Sequence, residues 1–309
     1  MSASEPFSNQ APIEPAKSTG GPDAAPPAAG EPQPRVSEEQ REAFRRDGFL
    51  VVEGLSTPEE IEWMRVVYDR LFGERRGWDD GALFDMVRPD DLERGLALPQ
   101  MLSPSRYAPV LRETRLCASA YGIARQLLGP KIENNLEHAI LKPPQGGAAT
   151  PWHQDEAFWR PGWSFEESIS VWMPLQDVDV ESGCMQYIRG SNRGPLFAHR
   201  SPGDDPRIHG LEIVSEPDLS QCVAAPIRAG SAVIHHSRTV HGAGANHTDE
   251  PRRAYVLGFG VQTRSNRLFT RDYPWNCEKV TAREARELRS LPAVKRLSRK
   301  ILSRLRGHS

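Results

Sequence analysis

Apolar and polar positions change their period near residue 130, from helical spacing to short apolar runs separated by turn signals. Ser37-Glu38-Glu39-Gln40 has the form of a capping box, in which the serine and glutamine side chains satisfy each other's backbone N–H groups. It predicts a helix running to Asp47 and broken by Gly48. Phe49-Leu50-Val51-Val52 predicts a short strand. Thr57-Pro58-Glu59-Glu60 supplies an N-cap, a proline at the first helical position and an acidic first turn, so a second helix is expected to about Phe72. A third helix, with apolar residues at Leu116, Ala120, Ile123, Ala124, Leu127 and Leu128, stops at Gly129-Pro130. From Ile132 onward the candidate strands are 132–141, 150–155, 168–174, 184–189, 231–236 and 253–262. Helices first and strands afterwards imply an α+β chain with a mainly β core, a jelly roll carrying the N-terminal helices on one face.

The two ends depart from this pattern. Residues 1–36 hold eight prolines among Ala, Gly, Ser and scattered acids, too little apolar surface to offset the entropy of ordering, so a disordered leader is expected there. Residues 37–280 are expected to form one domain, and residues 281–309 a basic amphipathic helix. Leu291, Val294, Leu297, Ile301, Leu302 and Leu305 recur at helical spacing beside six Lys or Arg, with no acid after residue 294. Such a helix either contacts a membrane surface or protein partner, or packs its apolar stripe on its own domain.

Composition narrows the function classes. At 309 residues and 38% hydrophobic content the chain can bury a core, and a formal charge of -2 gives no basic excess for nucleic acid. The cysteines, Cys117, Cys184, Cys222 and Cys277, are scattered with no C-x-x-C pair, which reads as reduced thiols in a cytoplasmic protein. No apolar run is long enough to span a bilayer, and the N-terminus lacks the layout of a secretory signal.

Pro151-Trp152-His153-Gln154-Asp155 carries the first candidate chemistry. An imidazole and a carboxylate two residues apart on a strand point to one face, where both can reach one metal ion. Two histidines and one carboxylate on one side of a metal leave its other positions open for co-substrate and dioxygen. A second histidine late in the chain is therefore needed. His241, after the apolar run Ala232-Val233-Ile234 and at a glycine-rich turn, is the best candidate, with His235 and His236 as competitors and His235 sharing its alternation parity. His247 reads as solvated, His138 as at most a neighbour of the ligands, and His199 and His209 fall in a loop-like stretch without a spacing signal.

The segment His241-Gly-Ala-Gly-Ala-Asn246-His-Thr248-Asp-Glu-Pro-Arg252-Arg253-Ala254 resembles the distal motif of the phytanoyl-CoA dioxygenase family, and Trp152-His153-Gln154-Asp155 resembles its proximal motif. Between them, Val171-Trp172-Met173-Pro174-Leu175 and Gly183 to Arg193 are similar to the family's central strand and its Gly-Ser-His-Arg-like turn, with Asn192 in place of the usual His. The resemblance runs from about Glu38 to Val261. It implies a double-stranded β-helix, Fe(II) held by His153, Asp155 and His241, 2-oxoglutarate and dioxygen as co-substrates, and oxidation of an unactivated C–H bond. It also implies that Arg252, eleven residues after His241, binds the distal carboxylate of 2-oxoglutarate, a task suited to a planar guanidinium with two parallel donors. Arg253 should point to the opposite face as a surface or ion-pair residue. Trp172 flanks the co-substrate by resemblance and is a core aromatic by its strand.

Where many relatives carry a hydroxyl two residues after the distal histidine, this chain has Ala243, so that hydrogen bond is missing or supplied elsewhere. Halogenases of similar architecture leave the carboxylate position to a small residue, so Asp155 argues for hydroxylation, desaturation or ring formation. Phe158 and Trp159 are expected on a rim loop at the substrate entrance, and segments 75–107 and 194–222 are expected to read the substrate: a secondary metabolite, an acyl-thioester or lipid, or an amino acid. Two other classes share the ligand set. A metal-binding jelly-roll module has no need of Arg252, and a zinc hydrolase or isomerase would need a general base, for which Glu156, facing away from the metal, is poorly placed.

Overall fold

The computed structural model describes residues 34–159, 165–262, 273–277 and 279–291. Helix α1 (Glu38–Asp47) opens on the expected reciprocal Ser37–Gln40 box. It ends at Gly48, whose φ of 85° is left-handed and which packs so closely that an added Cβ would meet Thr239 Oγ1 at 2.6 Å. Strand β1 (Phe49–Val52) follows, then α2 (Pro58–Gly73), capped by Thr57. Two short strands, β2 (Leu83–Asp85) and β3 (Pro99–Leu102), precede α3 (Arg115–Leu128). The β-rich part holds β4 (Glu133–Lys142), β5 (Thr150–His153), β6 (Phe165–Pro174), β7 (Met185–Ile188), β8 (His199–Arg200), β9 (Glu212–Ile213), β10 (Cys222–Ala225), β11 (Ala232–His236), β12 (His241–Ala243) and β13 (Arg252–Gln262). Helices α4 (Pro274–Cys277) and α5 (Ala282–Ser290) come last.

The strands form a jelly roll of two antiparallel sheets. The larger has the order β1-β11-β6-β13-β4-β3-β2 and the smaller β10-β7-β12-β5, with β8 and β9 paired separately. Alternation divides the larger sheet cleanly. Ile234, Val171, Met173, Tyr255 and Leu257 face Met64, Val67 and Tyr68 of α2 and Ile123 of α3 in the main core. The intervening residues Val233, Trp172, Ala254 and Val256 pack with Met185, Tyr187 and Ala243 of the smaller sheet in a second cluster. The helices thus seal one face, and the space between the sheets receives the side chains of the other.

Three expectations change in detail. The strand expected over 150–155 ends at His153, and Asp155–Phe158 turns instead into a short 3-10 helix. Strands β2, β3, β8, β9, β10 and β12, of two to four residues each, were not among the expected strands, and their pairing comes from sheet neighbours rather than from an alternation of their own. Pro34 and Val36, expected in the leader, are tied to α3 through Gln126, whose side chain accepts from Val36 N and donates to the Pro34 carbonyl. The rest of the leader, residues 1–33, lies outside the described residues, as does the basic stretch 292–309. The preceding α5 packs inward through Arg286, which reaches Asp90 at 2.6 Å and lies 3.9 Å over the Trp78 ring. No described helix is long and apolar enough to cross a membrane.

Candidate metal and carboxylate site

The antiparallel register sets His153 of β5 directly opposite His241 of β12, with their ring centroids 4.2 Å apart. Each ring lies with Nδ1 against a backbone carbonyl two residues earlier, Pro151 O and Thr239 O, both at 2.8 Å. A carbonyl only accepts, so Nδ1 carries the proton and Nε2 presents its lone pair. Asp155 enters from the turn after β5. Its Oδ1 lies 3.6 Å from His153 Nε2 and 3.5 Å from His241 Nε2. One donor atom from each of the three residues falls within 4.8 Å of the others. Two donors bound ~2.1 Å from one ion sit roughly 3.0–3.5 Å apart, so the set fits a single metal. Burial disfavours the Asp155 charge, but in the metal-free site positive charge and N–H donation from the neighbouring imidazoles, His241 foremost, outweigh it and hold the carboxyl well below the usual range, an anion that a bound cation would stabilise in their place. Burial, reinforced by His241, lowers His153 as well, which favours the neutral, ligating ring.

Two further groups complete its shell, Ser170, which was not anticipated, and His235, a candidate ligand that instead meets the carboxylate. Ser170 of β6 donates to Asp155 Oδ2 at 2.6 Å, and His235 of β11 lies 3.1 Å from the same oxygen. His235 had a sequence signal, its shared parity with His241, whereas Ser170 had none.

Arg252, at the start of β13, is 2% exposed, and its Nε and Nη1 meet no hydrogen-bond partner. Burial pushes this guanidinium down to about 9. Trp172 packs 5.4 Å from it, itself buried in the inter-sheet cluster, so the tryptophan is both a core aromatic and a neighbour of Arg252. Lys142 of β4 stands in register with Arg252 and is fully buried, with its ammonium held by the Ala243 and Gly244 carbonyls. Burial, then the charge of Arg252, pushes it well below its ordinary value. A second cation therefore abuts the position where the hydroxyl is missing. Its signal was alternation, since His138, Ile140 and Lys142 share the inward face of β4. Arg253 points to the opposite face as expected, yet it is buried, bidentate with Asp69 of α2 at 2.6 and 2.9 Å.

The remaining candidates separate by surroundings. Phe158 packs against His153 at 5.7 Å between centroids and lies 6.3 Å from His209, which in turn meets Phe84 at 4.5 Å. His209 thus belongs to an aromatic rim, whereas Trp159 packs on Phe165. His138 hydrogen-bonds Gln100 and feels the charges of Asp155 and His153, and burial takes it to about 4. His199 is buried as well, accepting from the Gln154 N–H. His236 pairs with Glu167, and His247 is exposed. Glu156 is bound by Arg238 at 2.7 and 3.1 Å.

A jelly roll that gathers two histidines and a carboxylate beside an unpaired buried guanidinium has the build of a non-haem iron oxygenase with a carboxylate co-substrate. The chain belongs to the phytanoyl-CoA dioxygenase (PhyH) family, whose family model matches residues 44–254, and it is a 2-oxoglutarate-dependent dioxygenase of that family. The peroxisomal phytanoyl-CoA dioxygenase of Rattus norvegicus is 25% identical over 256 residues, covering 73% of this chain and 68% of that protein. Ectoine dioxygenase of Nocardia farcinica is 27% identical over 240 residues, 72% of this chain and 78% of that protein. Among solved structures, EvdO2 from Micromonospora carbonacea var. aurantiaca, complexed with 2-oxoglutarate, is 36% identical with a TM-score of 0.64, over 76% of this chain and 96% of that one. The carbocyclase SnoK from nogalamycin biosynthesis is 25% identical with a TM-score of 0.59, over 75% and 87% of the two chains.

Proposed function

We propose that His153, Asp155 and His241 hold Fe(II), that Arg252 binds the distal carboxylate of 2-oxoglutarate with Trp172 beside it, and that the enzyme hydroxylates an unactivated C–H bond of a small organic molecule. The observation that carries this reading is the fully buried Arg252, with two donor atoms lacking any partner, in the same inter-sheet space as three converging ligand atoms. A dicarboxylate satisfies both. His153, Asp155 and His241 would hold the metal that takes one end, and Arg252 would meet the carboxylate at the other, the anion that this guanidinium lacks. When bound, iron and 2-oxoglutarate would, with dioxygen as the oxidant, supply an oxidative decarboxylation that sends one oxygen atom into succinate, releases CO2 and leaves the other for oxidation of a C–H bond. The chain's own part is to fix the ligand rings through the Pro151 and Thr239 carbonyls, to hold Asp155 ionised, and to keep water away by closing the sheets over Arg252.

The substrate is a secondary metabolite in this proposal. SnoK and the epimerase SnoN, 25% identical and with a TM-score of 0.54, are both assigned to nogalamycin biosynthesis, which supports that class over acyl-thioesters or amino acids. The same two neighbours carry out carbocycle formation and epimerisation, so those outcomes stand beside hydroxylation. A zinc hydrolase finds less support. Glu156, the acid next to Asp155, is engaged by Arg238 rather than free as a base.

The test is succinate formation by purified protein incubated with 2-oxoglutarate and candidate substrates, with and without Fe(II). Turnover should need the metal and vanish in His153→Ala and Asp155→Ala. Full activity in either variant, or activity with zinc and no succinate, would discard the assignment.

A further inference from the structure

The ligand assignment leaves unused a buried histidine that touches the ligand carboxylate. His235 lies on the inner face of β11, 2% exposed, with its ring 4.2 Å from that of His241. Its Nε2 lies 3.1 Å from Asp155 Oδ2, whereas His153 and His241 both face Oδ1. Its Nδ1 lies 3.1 Å from the Tyr187 hydroxyl. A carboxylate only accepts, so His235 Nε2 donates. In the neutral ring Nδ1 then accepts, and the Tyr187 hydroxyl donates to it. Tyr187 is itself immobilised, fully buried on β7 and stacked on Phe49 at 4.7 Å. With Ser170 donating to the same Asp155 oxygen at 2.6 Å, Oδ2 takes two hydrogen bonds and Oδ1 takes none from them.

We propose that His235, oriented by Tyr187, is a positioning residue that acts with Ser170 to hold Asp155 with one oxygen toward the metal and the other sequestered. The carboxylate then binds through Oδ1 alone, and the position that a second oxygen would occupy stays open for the co-substrates. This inference rests on the His153, Asp155 and His241 reading. His235 is no ligand itself. Both of its nitrogens are engaged by protein groups, whereas His153 and His241 each tie only Nδ1 to the backbone.

The experiment titrates Co(II), a spectroscopic stand-in for Fe(II), into metal-free wild type, His153→Ala, His235→Phe, His235→Gln and Tyr187→Phe under anaerobic conditions. It reads both affinity and the intensity of the visible d–d bands, which falls as coordination number rises. Near-UV circular dichroism checks that each variant is folded. Loss of the donor in His235→Phe should weaken binding by about tenfold to hundredfold and lower the band intensity as Asp155 becomes bidentate. Glutamine places an N–H donor near the same point, so His235→Gln should return both values toward wild type, and Tyr187→Phe should fall between. Wild-type affinity and spectrum in His235→Phe would overturn the proposal. So would a loss in His235→Gln as complete as in His153→Ala, which would make His235 a ligand. If wild type and His153→Ala bind Co(II) alike, the triad reading itself fails, and this inference with it.

Discussion

Arg252 and Lys142 stand opposite each other across the β4–β13 pair, both buried, and no carboxylate among the described residues neutralises Arg252. Two cations without an anion in a low-dielectric space destabilise a fold unless a ligand completes them. Arg252→Met should therefore raise the melting stability of the ligand-free protein, by about 1 kcal/mol or more, while weakening 2-oxoglutarate binding. A lost charge-assisted pair is worth about 1.5–3 kcal/mol, roughly tenfold to hundredfold in affinity. Thermal melts with Mn(II), with and without 2-oxoglutarate, read both effects. The co-substrate should stabilise wild type by RT ln(1 + [L]/Kd) and leave Arg252→Met nearly unmoved. Equal stabilisation of the two would remove Arg252 from the co-substrate site.

A second prediction concerns acid. His138 and His199 are each pushed down by burial to about 4. An unfolded histidine takes its proton near 6.5, so the folded state binds fewer protons between those values. The share of stability carried by these two imidazoles in the metal-free protein should be constant above about pH 6.5, fall as pH drops toward 4 and change no further below that. Each imidazole contributes at most ~3 kcal/mol to that fall. Urea midpoints at pH 7, 5.5 and 4.5 measure it. In His199→Gln an amide oxygen can still accept from the Gln154 N–H but cannot titrate, so the pH slope should shrink, with His138 and His153 carrying what remains. A slope unchanged from wild type would take His199 out of the account.

The sequence made the site's reactive groups legible but not the geometry that unites them. His153, Asp155, His241 and Arg252 were readable because a metal and a carboxylate demand particular side chains at particular separations. Yet Asp155 was expected to reach the ligand set by strand alternation, and it does so because the chain leaves β5 at Gln154 and turns into a 3-10 helix. His241 lies on a three-residue strand that no alternation could announce. Ser170, Tyr187 and His235 become partners of the site only through tertiary packing between residues 15 to 80 positions apart, across the two sheets and the turn after β5, which a local pattern does not encode. The larger elements were legible for the opposite reason, since the Ser37 and Thr57 caps and the β13 alternation are local.

The buried pair Asp69–Arg253 ties α2 to the same strand that begins with Arg252. Asp69→Ala would leave Arg253 charged, 8% exposed and without its carboxylate, at a cost of about 3–5 kcal/mol. Replacing both residues, Asp69→Leu with Arg253→Met, should recover most of that loss, because an apolar pair has no charge to strand. Chemical denaturation of the single and double variants decides it. A double variant no more stable than Asp69→Ala would mean that the pair holds α2 in place by geometry that packing cannot replace.

The segment after β13 reaches back to the rim of the site. Lys279 donates to the carbonyls of Ile208, His209 and Gly210, at 3.1, 2.5 and 2.8 Å, and Trp275 and Asn276 both donate to Ala157 O. Gly210 is held so closely that an added Cβ would lie 2.1 Å from Met86 O, so the loop carrying His209 is fixed from two sides. Lys279→Met keeps the aliphatic stem and removes all three donors. It should cost about 1–3 kcal/mol of stability and speed amide hydrogen exchange in the 206–211 loop, while metal and 2-oxoglutarate affinities stay within about twofold of wild type. The two readouts separate the rim from the ligand set, because Lys279 touches neither the metal-facing residues nor Arg252. Unchanged exchange in that loop would show that Met86 alone fixes it, and a large fall in metal affinity would mean that rim and ligand set move as one unit.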